Sequence, residues 1–141
     1  MSHGDARNRV ALTSHGGTVP WGVSAEYVIN EKNKLVVVRF GKKLTIGDIE
    51  RYAKLLQLNP SFHPSYAEIV DLTQVEELDL QADEFLRLAD EIDPFLPETK
   101  RAFVVRSSVQ NHAARMHQIL RSPRNIQIFE SIEEAERWIG K

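Results

Sequence analysis

The sequence predicts an α/β domain built on a mixed five-stranded sheet with its helices mainly on one face. Three observations predict it. First, β-rich runs and amphipathic helical stripes follow one another in the order ββαβαβαβα. Second, short connections between each strand and the next helix imply parallel strands joined by right-handed crossovers, with one antiparallel hairpin strand at the start. Third, Arg39, Glu68, Asp71, Arg101 and Gln127 interrupt the strands. A sheet covered on both faces reads as a more continuous apolar run, so one face is expected to be only partly covered.

Residues 1–22 are rich in Ser, Gly, Asn and His without a sustained period, and read as a flexible tail before one domain at 23–141. Residues 23–30 and 35–40 ("LVVVRF") are strands joined by the turn "EKNK", a hairpin. A helix follows with Thr45 as N-cap, Asp48 completing a capping pattern, and Ile46, Ile49, Ala53 and Leu56 on one stripe. The prolines of "NPSFHP" stop it. Residues 66–72 form the third strand. The second helix is expected to be capped by Asp79 and to bury Ala82, Phe85, Ala89 and Ile92, ending at "DPFLP". "RAFVV", residues 101–105, is the fourth strand. Ser107 or Ser108 caps a third helix whose stripe is Val109, Ala113, Met116 and Leu120. "IQIF" is the fifth strand, and "SIEEAERWIG" a last helix with Ser131 and Glu134 as a capping box and Gly140 behind it.

With 141 residues the chain suits one domain with a sizeable core. No apolar run approaches the roughly 18 to 20 residues that cross a bilayer, so no membrane insertion is expected. A net charge of −2 gives no basic footprint for nucleic acid. Cysteine is absent, which removes disulfides, thiolate metal sites and a Cys nucleophile, and fits a cytoplasmic protein. Charge is nevertheless segregated: residues 68–98 hold eleven acids and one base, and residues 100–124 six bases and no acid. Such blocks read as neighbouring solvated faces or as a charged partner surface.

The element order, with "LVVVRF", "NPSFHP", "EIVDLTQVEELDL", "RAFVV" and "ESIEEAERWIG", resembles the small bacterial SpoIIAA-like (STAS/SEC14-like) proteins over residues 23–141. The resemblance implies a β-α superhelix with helices gathered on one side of a mixed sheet. In related anti-sigma-factor antagonists, a strand like "VDLTQVEELD" leads to an Asp-Ser-Ser-Gly motif whose serine is phosphorylated. Here Asp79 matches, but Leu80 and Gln81 stand where the serines would be and Ala82 replaces the glycine. The resemblance therefore implies a regulatory module without the serine switch.

Two corners carry candidate site residues. At the first, Asp79 reads as an N-cap or as a carboxylate presenting a partner-binding loop, and Thr73 as a turn residue or a modifiable hydroxyl. At the second, Arg106 ends a strand and Ser107 and Ser108 open a helix at the carboxyl edge of the sheet, where a small anionic ligand would be held. Asp71 is expected to pair with a cation or with backbone N–H groups. No metal is expected. His3 and His15 lie in the tail and His63 in a loop, while His112 and His117 are about 140° apart around their helix. No cofactor fingerprint or catalytic set is present.

These readings favour a non-enzymatic binding or regulatory module with a protein partner or itself as a homodimer. Its contacts would use the acidic helix around Asp83 and Asp93 and the basic one carrying Arg106, Arg115 and Arg121. Trp21 and Phe40 would join that contact if solvent-facing. The alternative, from the fold's kinship with lipid-transfer proteins, is a small-molecule or lipid carrier, which requires a roomy apolar cavity.

Overall fold

A computed structural model describes residues 10–11 and 25–140. The hairpin forms as the β-branched runs require: β2 (Ala25–Asn30) and β3 (Leu35–Phe40) pair antiparallel from Ala25–Phe40 to Asn30–Leu35. Asn30 Oδ1 accepts the Asn33 N–H inside the turn (3.1 Å). The expected tail lies outside the described residues except at β1 (Val10–Ala11), which pairs antiparallel with β2. Trp21, His3 and His15 are also outside them.

Three further strands, β5 (Ala67–Asp71), β7 (Arg101–Val104) and β8 (Ile126–Phe129), run parallel to β3 in the sheet order β1-β2-β3-β5-β7-β8. The order of the parallel strands never reverses. Right-handed crossovers taken always in one direction put their helices on one face, here α1 (Ile46–Leu58), α2 (Ala82–Arg87) and α3 (Ser108–Arg121). The final helix α4 (Ile132–Ile139) is no crossover and packs Ala135 and Ile139 on the other face, against Leu35, Ala67, Ile69, Ala102 and Val104. Beyond α4, among the described residues, that face carries a groove over β2 and β3 lined by Val28, Val37, Arg39, Asp71 and Ile132. The expected partly covered face is this one.

Local signals for α1 and α4 hold. Thr45 Oγ1 accepts from Asp48 N–H (3.2 Å), and Asp48 Oδ2 accepts from Thr45 N–H (3.2 Å). Ser131 Oγ accepts from Glu134 N–H (3.2 Å), and Gly140 closes α4 at φ 81°, where a side chain would be strained.

Several expectations need correction. Asp79 does not cap α2. It ends β6 (Glu77–Asp79), which pairs in parallel with β4 (Lys43–Thr45) in a separate two-stranded sheet. The N-cap is Gln81, whose N–H donates to Glu84 Oε1 (2.8 Å). Beyond Arg87 the helix widens into a π turn, Leu88–Ile92, closed by Asp93 N–H reaching Leu88 O (3.0 Å). Its buried residues are Phe85, Leu88 and Ala89, with Ala82 exposed. In α3 the buried side is Gln110, Ala113, Ala114 and His117, so Val109 stands exposed. Phe40 is buried in the main core, which removes it from any partner surface.

The polar interruptions of β5 and β7 do not face solvent. Glu68 and Arg101 are 2% and 4% exposed on the helix-bearing face.

Candidate functional site

The carboxyl ends of β5 and β7 bring Thr73 and Arg106 together, although 33 residues separate them in the chain. Asp71, the last residue of β5, is buried and closes the turn: its Oδ1 accepts from both Thr73 N–H (2.9 Å) and Thr73 Oγ1 (2.6 Å). Its Oδ2 accepts from Arg39 Nε (3.2 Å), the in-register neighbour on β3. The expected pairing of Asp71 with a cation and a backbone N–H is thus met. Thr73 is a turn residue whose hydroxyl proton is already given to that carboxylate.

Ser107 is the N-cap of α3 and accepts from Gln110 N–H (3.2 Å); Ser108 begins the helix beside it, exposed. The buried Gln110 joins the two corners. Its Oε1 accepts Arg106 N–H (2.6 Å) and its Nε2 donates to Val75 O (2.8 Å). The Arg106 guanidinium lies over Thr73 O at 3.5 Å, exposed. Sequence reasoning named Ser107 and missed Gln110. The signal was there, because Ser107-Ser108-Val109-Gln110 fits the Ser-x-x-Gln capping pattern. Asp79 belongs elsewhere, exposed on β6 with Lys43 Nζ at 4.0 Å. The expected ligand crevice of an open α/β sheet needs a reversal of strand order. The order seen has none, so an anion at Arg106 would sit on an open surface rather than in a cleft.

Beneath the helices lies a buried charge network. Arg101 donates from Nε and Nη2 to Glu68 Oε1 (3.0 and 2.9 Å) and from Nη1 to Asp93 Oδ2 (2.7 Å). Tyr52 on α1 donates to Glu68 Oε2 (2.6 Å), and His117 Nε2 lies 2.8 Å from Asp93 Oδ2. Burial alone would raise the Asp93 carboxyl, but Arg101 and His117 override it and hold the group well below the usual carboxylate range. Burial also pushes the Tyr52 phenol up, and Glu68 adds to the shift.

The network corrects the expected partner surface. Asp93 is internal, and Arg121 donates to Ala89 O (3.1 Å) and Phe95 O (2.6 Å), tying α3 to the segment after α2. Arg106 and Arg115 stay exposed, as do Asp83, Asp90 and Glu91. His112 is exposed and edge-on to Phe85, while His63 bonds to Ser65 in its loop. Among the described residues no His or carboxylate group is arranged to hold a metal, and no helix is long and apolar enough to cross a membrane. The half-open pocket between sheet and helices holds about 60 Å³, below the roughly 300–1,000 Å³ of pockets that enclose drug-sized ligands.

No family model and no curated protein matches the chain. Solved structures do. An uncharacterized protein of the DUF3478 family with a SpoIIAA-like fold, from Shewanella loihica, is 24% identical, with 74% of this chain and 83% of that one covered at a TM-score of 0.52. The chain has a SpoIIAA-like fold. An anti-sigma factor antagonist from Mycobacterium paratuberculosis superimposes at a TM-score of 0.57 over 84% of this chain and 96% of that one, at 14% identity. The α/β architecture implied by the resemblance is therefore met. At the helix start of this SpoIIAA-like domain, Leu80 is half-buried against the core and Gln81 caps α2. Neither carries a hydroxyl.

Proposed function

We propose that the chain is a cytoplasmic, non-enzymatic STAS-like module that works through protein–protein contacts and lacks a serine switch. The observation that carries this reading is the Gln110 bridge, which ties the turn after β5 to the start of α3 (2.6 and 2.8 Å) and holds Arg106, Ser107 and Ser108 on a fixed backbone. A surface ordered before binding loses less entropy on binding. The same corner offers one guanidinium and two hydroxyls to a carboxylate or other anionic group. That an anti-sigma factor antagonist shares the fold supports a protein partner.

The partner in this reading is a second copy or an acidic protein surface. In the homodimer, exposed Asp83, Asp90 and Glu91 of one copy face Arg106 and Arg115 of the other. Such complementarity acts on partner choice and on-rate, and it weakens with salt. The test is light scattering of the full chain at low and high salt, beside Arg106→Glu with Arg115→Glu. A dimer that dissociates with salt and with the double variant is expected. A monomer under every condition, with no protein captured through this corner, overturns the reading.

A further inference from the structure

The helical segment after α2 ends on a choice between two carbonyls. Pro94 has no N–H and disfavours helical backbone at the residue before it, so the helix stops at Asp93, where ψ has turned to 116°. Asp93 N–H is therefore the last main-chain donor the turn can use. In an α-helix it would reach Ala89 O, four residues back. It reaches Leu88 O instead, five back, at 3.0 Å. That bond makes the π turn, an irregularity that recurs at functional sites.

Two side chains hold the wider register. Arg121 Nη1 donates to Ala89 O (3.1 Å), the carbonyl that Asp93 N–H passes over, and Nη2 donates to Phe95 O beyond the turn (2.6 Å). The Asp93 carboxylate is drawn inward, with Oδ2 accepting from Arg101 Nη1 (2.7 Å) and Oδ1 from Phe95 N–H (3.0 Å). Ala89 is 2% exposed, and a buried carbonyl without a donor is costly. Without Arg121, the donor at α-helical spacing for Ala89 O is Asp93 N–H. Taking it would tighten the turn and swing Asp90 and Glu91 around the helix axis relative to Asp83. Those two exposed carboxylates are the part of the acidic face that the π turn carries. The Arg121 side chain is itself only 19% exposed, so it acts from beneath that face.

We propose that Arg121 is a positioning residue for the partner surface: by occupying Ala89 O it keeps Leu88–Ile92 in the π register, which fixes how Asp90 and Glu91 are presented to the basic helix of a second copy. This role rests on the protein-contact reading above. The test compares the full chain with Arg121→Met, which keeps an aliphatic stem without the donors, and with Arg124→Met, which removes an equal charge from an exposed site. Scalar couplings across hydrogen bonds report which carbonyl carbon Asp93 N–H engages, and light scattering at low salt reports association. In the unaltered chain and in Arg124→Met the coupling is expected to Leu88. In Arg121→Met it is expected to move to Ala89, with self-association about tenfold weaker than in Arg124→Met. An unmoved coupling overturns the hold of Arg121 on the turn while the dimer stands. A moved coupling with unaltered association overturns its role at the surface. A chain that is monomeric under every condition, with the coupling moved, overturns the contact reading instead. If Arg121→Met does not fold, the unaltered chain decides: a coupling between Arg121 Nη1 and the Ala89 carbonyl carbon is expected, and its absence overturns the proposal.

Discussion

Glu68 and Arg101 are register partners on neighbouring parallel strands, and they form an ion pair inside the core at 2.9 Å with side chains 2% and 5% exposed. Two charges out of water are stable only while each keeps its partner. Glu68→Ala leaves the guanidinium with Asp93 alone and is expected to destabilise the fold by about 3–5 kcal/mol. Replacing both residues together, as Glu68→Leu with Arg101→Met, removes this pair while Asp93 keeps His117 and Arg121, and is expected to lose less than Glu68→Leu and Arg101→Met summed. Urea denaturation of the single and double variants measures this, and additive losses would show that the pair is not coupled.

The carboxyl of Asp93 is expected to contribute to the acid limb of stability. Its folded value is depressed, so its contribution is full above the unfolded range near about 4 and is lost as pH falls toward the folded value. The unaltered chain is expected to lose stability steadily below about pH 5. Asp93→Asn is expected to be destabilised at neutral pH and to show a flatter decline in acid, so the two curves converge. Thermal melts from pH 7 to pH 3 compare them, and parallel curves would remove Asp93 as the cause.

What was legible in the sequence is what short spacing decides. Thr45 with Asp48, Ser131 with Glu134, and Gly140 each act within one helical turn, and all three hold. The monotone strand-helix alternation gave the fold because handed crossovers turn order into topology. What failed depends on distant partners. Glu68 and Arg101 looked like solvent-facing interruptions because each finds its counter-charge 33 residues away. Asp79 read as a cap because β6 exists only through a three-residue match with β4. In sequence Val109 falls on the same apolar stripe as Ala113 and Met116. The face of α3 that turns inward is instead the one carrying Gln110 and His117, whose partners Val75 and Asp93 lie on other segments. The Thr73 and Arg106 corners looked separate for the same reason.

Gly140 ends α4 in the left-handed region at φ 81°, with nothing within 4 Å of where a Cβ would stand. Space is therefore not the constraint; backbone conformation is. Gly140→Ala is expected to cost about 1–2 kcal/mol, and Gly140→Asn less, because Asn tolerates this conformation. Chemical denaturation of the two variants checks the order, and equal stability of all three chains would remove the backbone argument.

Gln110 offers the sharpest separation between support and contact. It is 4% exposed, so the partner proposed above would meet Arg106 and Ser107 rather than Gln110 itself. Gln110→Leu keeps the volume but leaves Arg106 N–H and Val75 O without the bonds they now make. The expected loss is about 1–3 kcal/mol, against about 1 kcal/mol for removal of the cap in Ser107→Ala. Amide exchange should quicken at Arg106, the residue whose N–H loses its acceptor, while the Thr45 cap of α1 keeps its protection. If Gln110→Leu matches Ser107→Ala in stability and leaves the Arg106 amide as slow as before, the bridge is not what fixes this corner.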